Sequence, residues 1–406
     1  MTHPVNYFRK GFGLKSDVEG TLSADYTGQL VDLLQAREYT LQSGSVTVRL
    51  AREFGFCYGV ERAVEYAYQT RAKFPDRTIY LAGEIIHNPH VNAKLRQMGI
   101  VFLQAGADGF DYSGVRPDDV VILPAFGVTI SDFETLRALG CVMVDTTCGS
   151  VLNVWKRVES YARDGFTSLI HGKYYHEETR ATASQVLKYE GGAYLVVRNM
   201  EQAHDACAFI EQRGMTRDAF LDKYRKQAST GFDPDVHLQR IGVANQTTML
   251  ARESLAIGEE VGQAMARQFG ASHRASHFRT FDTICSATQD RQDAVNALLE
   301  EPLDVMLVIG GYNSSNTISL AALCAERVRT YHIADAACID VAAGTIRHAA
   351  SVGGLTTDET ETAAWLAGDA PLLVGLTAGA STPNNKIGEA VARVFLTRGI
   401  DPAGLV

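Results

Sequence analysis

The sequence predicts an α/β fold built from three similar lobes, and three observations carry that prediction. The first is a stretch that occurs three times: an apolar strand, a cysteine, then a helix. VTVRLAREFGFCYGVERAVEYA places Cys57 between Gly55 and Gly59, ahead of Val60, Ala63, Val64 and Ala67. VMVDTTCGSVLNVWKRVESYA places Cys148 ahead of Val151, Val154, Trp155 and Val158, and FRTFDTICSATQDRQDAVNALLE places Cys285 ahead of Ala294, Val295, Leu298 and Leu299. Apolar residues at these spacings mark amphipathic helices. Intervals of about 90 and 140 residues mark one unit used repeatedly. The second observation is a strand that follows each cysteine and ends in a polar cluster: IYLAGEIIHNPH, SLIHGKYYHEET and VMLVIGGYNSSNT. The third is a further strand and turn in each unit: VVILPAFGVTIS, RIGVANQTTML and LLVGLTAGASTP. Polar turns at strand carboxyl ends are where open α/β sheets bind ligands, so the three lobes are expected to face one cavity.

The elements follow in order. Residues 1–44 form an N-terminal extension, with a basic, aromatic NYFRKGFG and one amphipathic helix in TGQLVDLLQAREYTL. It is expected to wrap the first lobe, with contact to a redox partner as the alternative. Lobe one spans 45–140. Lobe two spans 141–280 and carries a charged insertion at about 211–240, read as a solvated helix and loop. Lobe three spans 281–378. A closing segment, 379–406, contains the amphipathic helix NNKIGEAVARVFLTRG.

Composition narrows the function. The chain has 406 residues, 46% of them hydrophobic and 21% charged, as in a globular protein with ample core. A net charge of −9 without dense Lys/Arg runs argues against nucleic-acid binding. No apolar run reaches membrane-spanning length and no signal core opens the chain, so a cytoplasmic location and no membrane partner are expected. Seven cysteines without a CxxC pair speak against a disulfide framework or a zinc ribbon. Cys141, Cys207, Cys324 and Cys338 lie within apolar patterns and read as core.

Cys57, Cys148 and Cys285 differ, because each precedes a helix whose N-terminal dipole favours thiolate. Three thiolates could hold zinc or an iron–sulfur cluster, or be buried. A structural zinc takes four ligands, often two from one short motif. Three spaced cysteines suit a 4Fe–4S cluster with one open iron, which leaves a Lewis-acidic site. The polar turns offer neutral donors: His87, His176, Thr247, Thr248, Ser314, Ser315, Asn316 and Ser381, with Lys173 nearby. Together with helix N-termini they suit a phosphate-like anion. Glu178 is the carboxylate expected inside as proton donor, its pKa raised by enclosure. Taken singly, each histidine reads as a core histidine and Glu178 as a solvated helix-start acid. Their shared place in the repeat favours chemistry.

The motifs GFCYGVERA, GEIIHNPHV, DTTC, HEET, NQTT, DTICSATQDRQ, GGYNSSNT and TAGAST together closely resemble the 4-hydroxy-3-methylbut-2-enyl diphosphate reductase family, in its order and over roughly residues 46–383. The extension and the long second lobe resemble the cyanobacterial and plastid-type branch. The resemblance implies a trefoil of three α/β lobes around a 4Fe–4S cluster held by Cys57, Cys148 and Cys285. It implies an allylic diphosphate substrate held by His87, His176, Ser314, Ser315, Asn316 and Ser381, with Thr248 and Thr288 also binding. Glu178 and Thr247 would relay protons, and a ferredoxin or flavodoxin-type donor would supply electrons. Two electrons and two protons would then convert (E)-4-hydroxy-3-methylbut-2-enyl diphosphate to isopentenyl and dimethylallyl diphosphate. Phe126 stands where many bacterial members have histidine, and HEETRAT lacks the proline of a commoner form. The competing readings are a hydratase or dehydratase using the iron as Lewis acid without electron transfer, and a non-catalytic cluster protein.

Overall fold

The computed structural model describes residues 6–106, 109–352 and 357–405. Small parts of the expected extension (1–5), first lobe (107–108), third lobe (353–356) and closing segment (406) lie outside the described residues. The elements run in chain order as follows. The extension gives β1 (Tyr7–Phe8), α1 (Lys15–Tyr26), α2 (Gln29–Ala36) and β2 (Thr40–Ser43). Next come β3 (Val46–Leu50), α3 (Tyr58–Lys73), β4 (Ile79–Leu81), α4 (Pro89–Gln97), β5 (Ile100–Phe102), β6 (Val120–Leu123), α5 (Ile130–Leu139) and β7 (Val142–Asp145). They are followed by α6 (Gly149–Arg163), β8 (Thr167–His171), α7 (Glu177–Val186), β9 (Tyr194–Val197), α8 (Met200–Ile210), α9 (Arg217–Tyr224), α10 (Pro234–His237), β10 (Ile241–Asn245), α11 (Ala251–Phe269), α12 (Arg274–His277) and β11 (Phe278–Thr280). The chain ends with α13 (Ser286–Leu298), β12 (Val305–Ile309), α14 (Ser315–Ala325), β13 (Thr330–Ile333), β14 (Ile339–Asp340), β15 (Thr345–Ala349), β16 (Glu359–Ala363), β17 (Leu372–Ala378) and α15 (Asn384–Thr397).

Three sheets share one plan. Their strand orders are β5-β4-β6-β7, β9-β8-β10-β11 and β13-β12-β17-β3. The pairs β6–β7, β10–β11 and β17–β3 are all parallel. Central strands β6, β8, β10 and β12 are buried at every residue, the near-continuous apolar reading of strands covered on both faces. β1 adds to the first plan beside β7, and β2 adds antiparallel beside β3. β14, β15 and β16 form a small antiparallel sheet.

Two limits drawn on the sequence do not follow these sheets. β3, which leads to Cys57, joins the third sheet through β17, not the first lobe. β7, which leads to Cys148, belongs to the first sheet although it lies within 141–280. The strand before each cysteine therefore joins the sheet that precedes it in the repeat, and for Cys57 that strand, β3, joins the last sheet. A parallel partner cannot be read from an apolar run, because pairing is non-local.

By contact density the chain forms two compact units. One contains the described part of Met1–Arg9, Arg77–Gly83 and Val101–Cys285. The other contains Lys10–Asp76, Glu84–Ile100 and the described part of Ser286–Val406. The first unit holds separate cores for its two sheets. One centres on Val121, Leu123 and Met143, the other on Leu195, Ile241, Val243 and Val261. Burial of such apolar area stabilises by roughly 25 cal/mol per Å². The charged insertion contributes to the second core: Phe220 and Tyr224, four residues apart on α9, are 0% and 1% exposed. It is more than the solvated helix and loop expected.

In the second unit the core gathers β3, β12 and β17 with Ile387, Val391, Val394 and Phe395 of α15. The extension divides: β1 extends a sheet in the first unit, whereas α1 packs on α3 and α2 on α15 in the second. Asp25 at the end of α1 accepts from Tyr68 at 2.7 Å and pairs with Lys94 at 2.6 Å. Burial raises its carboxyl, but bonds from Lys94 and Tyr68 prevail and hold it below the usual range.

Candidate active site

Each cysteine turn is pinned in the same way. The Cys148 N–H donates to the Ala125 carbonyl (2.9 Å), Cys285 to Thr247 (3.3 Å), and Cys57 to Ala380 (3.2 Å). Each acceptor lies in the turn after the strand adjoining the cysteine's own strand, so the shared sheet plan delivers the cysteines at matching positions. Cys57 caps α3, Cys148 caps α6 and Cys285 directly precedes α13. None of the seven cysteines is disulfide-linked; these three are half-buried and the other four buried. Burial pushes the thiol of Cys141 up to about 11 and that of Cys207 to about 12, and raises Cys324 further. Cys141, Cys207 and Cys324 are thus held as thiols, and the three cysteines read as ligands keep solvent access.

In the first unit the NQTT turn makes a junction. Thr247 donates its N–H to Glu178 Oε1 (2.6 Å) and its hydroxyl to Oε2 (3.1 Å). The carbonyl of the same residue holds Cys285. Glu178 is 3% exposed and lies in the first turn of α7, where helix N–H groups favour a carboxylate. His176 caps that helix, its Nδ1 accepting the Glu178 N–H at 3.2 Å. A neutral imidazole that accepts at Nδ1 carries its proton on Nε2 and offers it as a donor. Phe126 packs edge-on against this ring at 6.0 Å. Thr248 is half-buried and accepts from Gln246 Nε2 at 3.1 Å. Burial, helped by Arg198, lowers Lys173 to about 8.

In the second unit Ser314 caps α14, accepting the Thr317 N–H at 3.4 Å. Ser381 donates to the His87 carbonyl (3.2 Å) and lies 3.5 Å from the Ser314 hydroxyl. His87 Nδ1 is 3.0 Å from Glu84 Oε2 and 3.4 Å from Asn313 Nδ2. Asn316 Oδ1 accepts the Ala380 N–H at 2.9 Å, and the Ala380 carbonyl holds Cys57. Ala380 thus joins Asn316 to one cysteine as Thr247 joins Glu178 to another. Ser315 Oγ, Asn316 Nδ2 and Thr317 Oγ1 are buried without a hydrogen-bond partner. Leaving a buried polar group unsatisfied costs roughly 1–3 kcal/mol, so three at one helix start mark a place for an acceptor-rich ligand. Thr288 is buried on α13.

The first unit therefore brings together Glu178, Thr247, His176 and Cys285, and the second His87, Ser314, Ser381, Asn316 and Cys57. Sequence reasoning placed Gln246 in a polar turn but gave it no role; its Oε1 accepts from the Lys173 N–H (3.0 Å) and the Thr179 hydroxyl (3.1 Å). It missed Glu84 and Arg291. Arg291 was detectable: it falls on the α13 stripe that continues through Val295 and Leu298, at i, i+4 and i+7, where a charged residue is unusual.

Repeated parallel α/β sheets with capping hydroxyls, amides and unlinked cysteines at their strand ends define a class, that of α/β proteins with ligand chemistry at the carboxyl ends of their strands. A family model described as LytB protein matches residues 48–395. The chain is 46% identical over 396 residues to 4-hydroxy-3-methylbut-2-enyl diphosphate reductase of Thermosynechococcus vestitus, covering 97% of this chain and 96% of that protein. It is 48% identical over 405 residues to the enzyme of the same name from Gloeobacter violaceus, covering 98% and 94%. The chain belongs to the LytB family. A solved structure titled E-1-hydroxy-2-methyl-but-2-enyl-4-diphosphate reductase from Plasmodium falciparum matches with a TM-score of 0.60 and 21% identity, covering 86% of this chain and 87% of that chain, and shares the fold.

Proposed function

We infer that this chain is the reductase of the non-mevalonate isoprenoid pathway, converting (E)-4-hydroxy-3-methylbut-2-enyl diphosphate to isopentenyl and dimethylallyl diphosphate. The observation that carries the reading is the Thr247 junction, where one residue holds a buried carboxylate by N–H and hydroxyl and a cysteine turn by its carbonyl. The names of the relatives favour it over a hydratase working without electrons.

The residues fit an iron–sulfur group: three half-buried cysteines at helix starts, outside any disulfide, against four buried ones. Cys57, Cys148 and Cys285 would hold a 4Fe–4S cluster with one open iron. When bound, that cluster supplies electrons and a Lewis acid. The other roles fall to side chains. Ser314, Ser315, Asn316 and Ser381, with the α14 N-terminus, bind the diphosphate, Ser315 and Asn316 through donors that otherwise lack acceptors. His87 and His176 add imidazole donors, and Thr248 and Thr288 complete the substrate-binding set. Thr247 orients the substrate hydroxyl and passes protons from Glu178. In the balance, two electrons and two protons enter, the carbon–oxygen bond breaks, one proton leaves with the hydroxyl as water, and the other forms the new carbon–hydrogen bond. Phe126, edge-on to His176, replaces a donor with an apolar wall.

The electron donor on this reading is a ferredoxin or flavodoxin-type protein, and the location is cytoplasmic. Among the described residues no helix is long and apolar enough to cross a membrane. The test is anaerobic: iron and sulfide content and Mössbauer spectra with and without substrate, then turnover with dithionite and viologen. Four irons with one site that responds to substrate, and product formed only with reductant, are expected. A full cluster with substrate unchanged under reductant would refute the reading.

A further inference from the structure

We propose that Arg291 is a positioning residue that fixes the Cys57 turn to the helix that follows Cys285. Its guanidinium is buried, the residue being 3% exposed. Nη1 donates to the Ala287 carbonyl at 2.8 Å, and Nη2 to the carbonyls of Gly55 (2.7 Å) and Phe54 (3.4 Å). Ala287 lies in the first turn of α13, two residues after Cys285, and Gly55 lies two residues before Cys57. One side chain therefore bridges the segments that deliver two of the three cysteines.

The arrangement is costly unless it has a use. A buried cation ordinarily has a carboxylate partner, and among the described residues none lies within ion-pair distance of Arg291. Nε has no acceptor. The guanidinium also sits beside the first turn of a helix, the end whose dipole repels cations. What it gains is the shape of the Cys57 turn. Gly55 is left-handed at φ +66°, and a Cβ there would lie 2.9 Å from Asn384 Oδ1. A turn that only glycine fits, tied to β17's exit by the Gly55 and Cys57 N–H groups, has its carbonyls fixed by Arg291. Lysine could keep the charge but not the planar fork. That the Cys57 turn holds iron is taken from the cluster reading above, and in that respect the inference rests on it.

The experiment compares wild type, R291Q and R291K. In iron-free protein, alkylation rates of Cys57 and Cys148 are measured by mass spectrometry, with the melting temperature alongside. In reconstituted protein, iron loss to a chelator is followed. With the guanidinium's bonds to the Gly55 and Phe54 carbonyls removed, Cys57 should alkylate about tenfold faster while Cys148 changes little. Iron should leave faster to a similar degree, and R291K should fall between. Unchanged Cys57 reactivity in folded R291Q, or a rise of both cysteines together, would overturn the proposal. Should R291Q fail to fold, the Cys57-to-Cys148 ratio in R291K decides: a rise supports the proposal and no change defeats it. Should wild type take up no iron, the cluster reading falls, yet the alkylation ratio still judges Arg291.

Discussion

The starts of α7 and α14 occupy equivalent places, each following the second strand of its sheet plan, yet they are finished differently. At α7 the helix N-terminus carries its own acid. Glu178 is satisfied by Thr247 on both oxygens, and His176 is fixed by the Glu178 N–H. At α14 the cap is a serine, no acid lies in the first turn, and three buried donors lack acceptors. One scaffold position thus yields a closed group, its carboxylate satisfied on both oxygens, and an open one whose unpartnered donors suit an anion. The difference lies in a few residues after the strand, since backbone N–H groups and dipole are common to both.

The largest break in that contrast should come from Glu178→Gln. It keeps the shape and removes the proton, so kcat should fall by about 10²–10⁴ with KM little changed. Steady-state kinetics under constant reductant would check this, and an unchanged kcat would move the proton source elsewhere.

The next effect is on stability, and it should be alike behind both sites. His171 ends β8 and His332 lies on β13, and burial lowers each from 6.5 to about 4. The unfolded chain takes up these protons near pH 6.5 and the folded chain only near 4. Stability from each should therefore be fully present above 6.5 and be lost as pH falls through that window, by about 1.4 kcal/mol per pH unit. Urea titrations between pH 7 and 4 would show it, and His332→Gln should shallow the slope if it folds.

Asn316→Ala should weaken inorganic diphosphate binding by about 10- to 100-fold, the worth of a hydrogen bond to a charged group. Calorimetry on Asn316→Ala beside Glu178→Gln sharpens the comparison, because the latter should bind nearly normally. The smallest effect belongs to Phe126→Leu, which removes an edge contact worth roughly 0.5–1.5 kcal/mol and should change KM by a few-fold. A large fall in kcat would mean that the ring does more than hold His176.

Much was legible in the sequence because it is local. Strand, turn, cysteine and helix lie within some twenty consecutive residues, so the separation of Cys57, Cys148 and Cys285 from four core cysteines followed from what comes directly after each. Ser314 and His176 were legible as helix-start residues for the same reason. The α9 pair Phe220 and Tyr224 was legible too, at i, i+4 spacing, but charge around it masked an apolar face that is buried.

Tertiary structure alone decided which sheet each cysteine strand joins, and so that β3 belongs to the third sheet. It also decided that Thr247 and Ala380 each join a functional side chain to a cysteine, that the extension is divided between two units, and that Arg291 reaches Gly55 across 236 positions. The physical reason is the same in each case. Side-chain periodicity records which face of an element is buried, not which neighbour buries it. Main-chain carbonyls, which accept from the Cys57 and Cys285 N–H groups and from Arg291, are identical at every residue and leave no mark in the sequence.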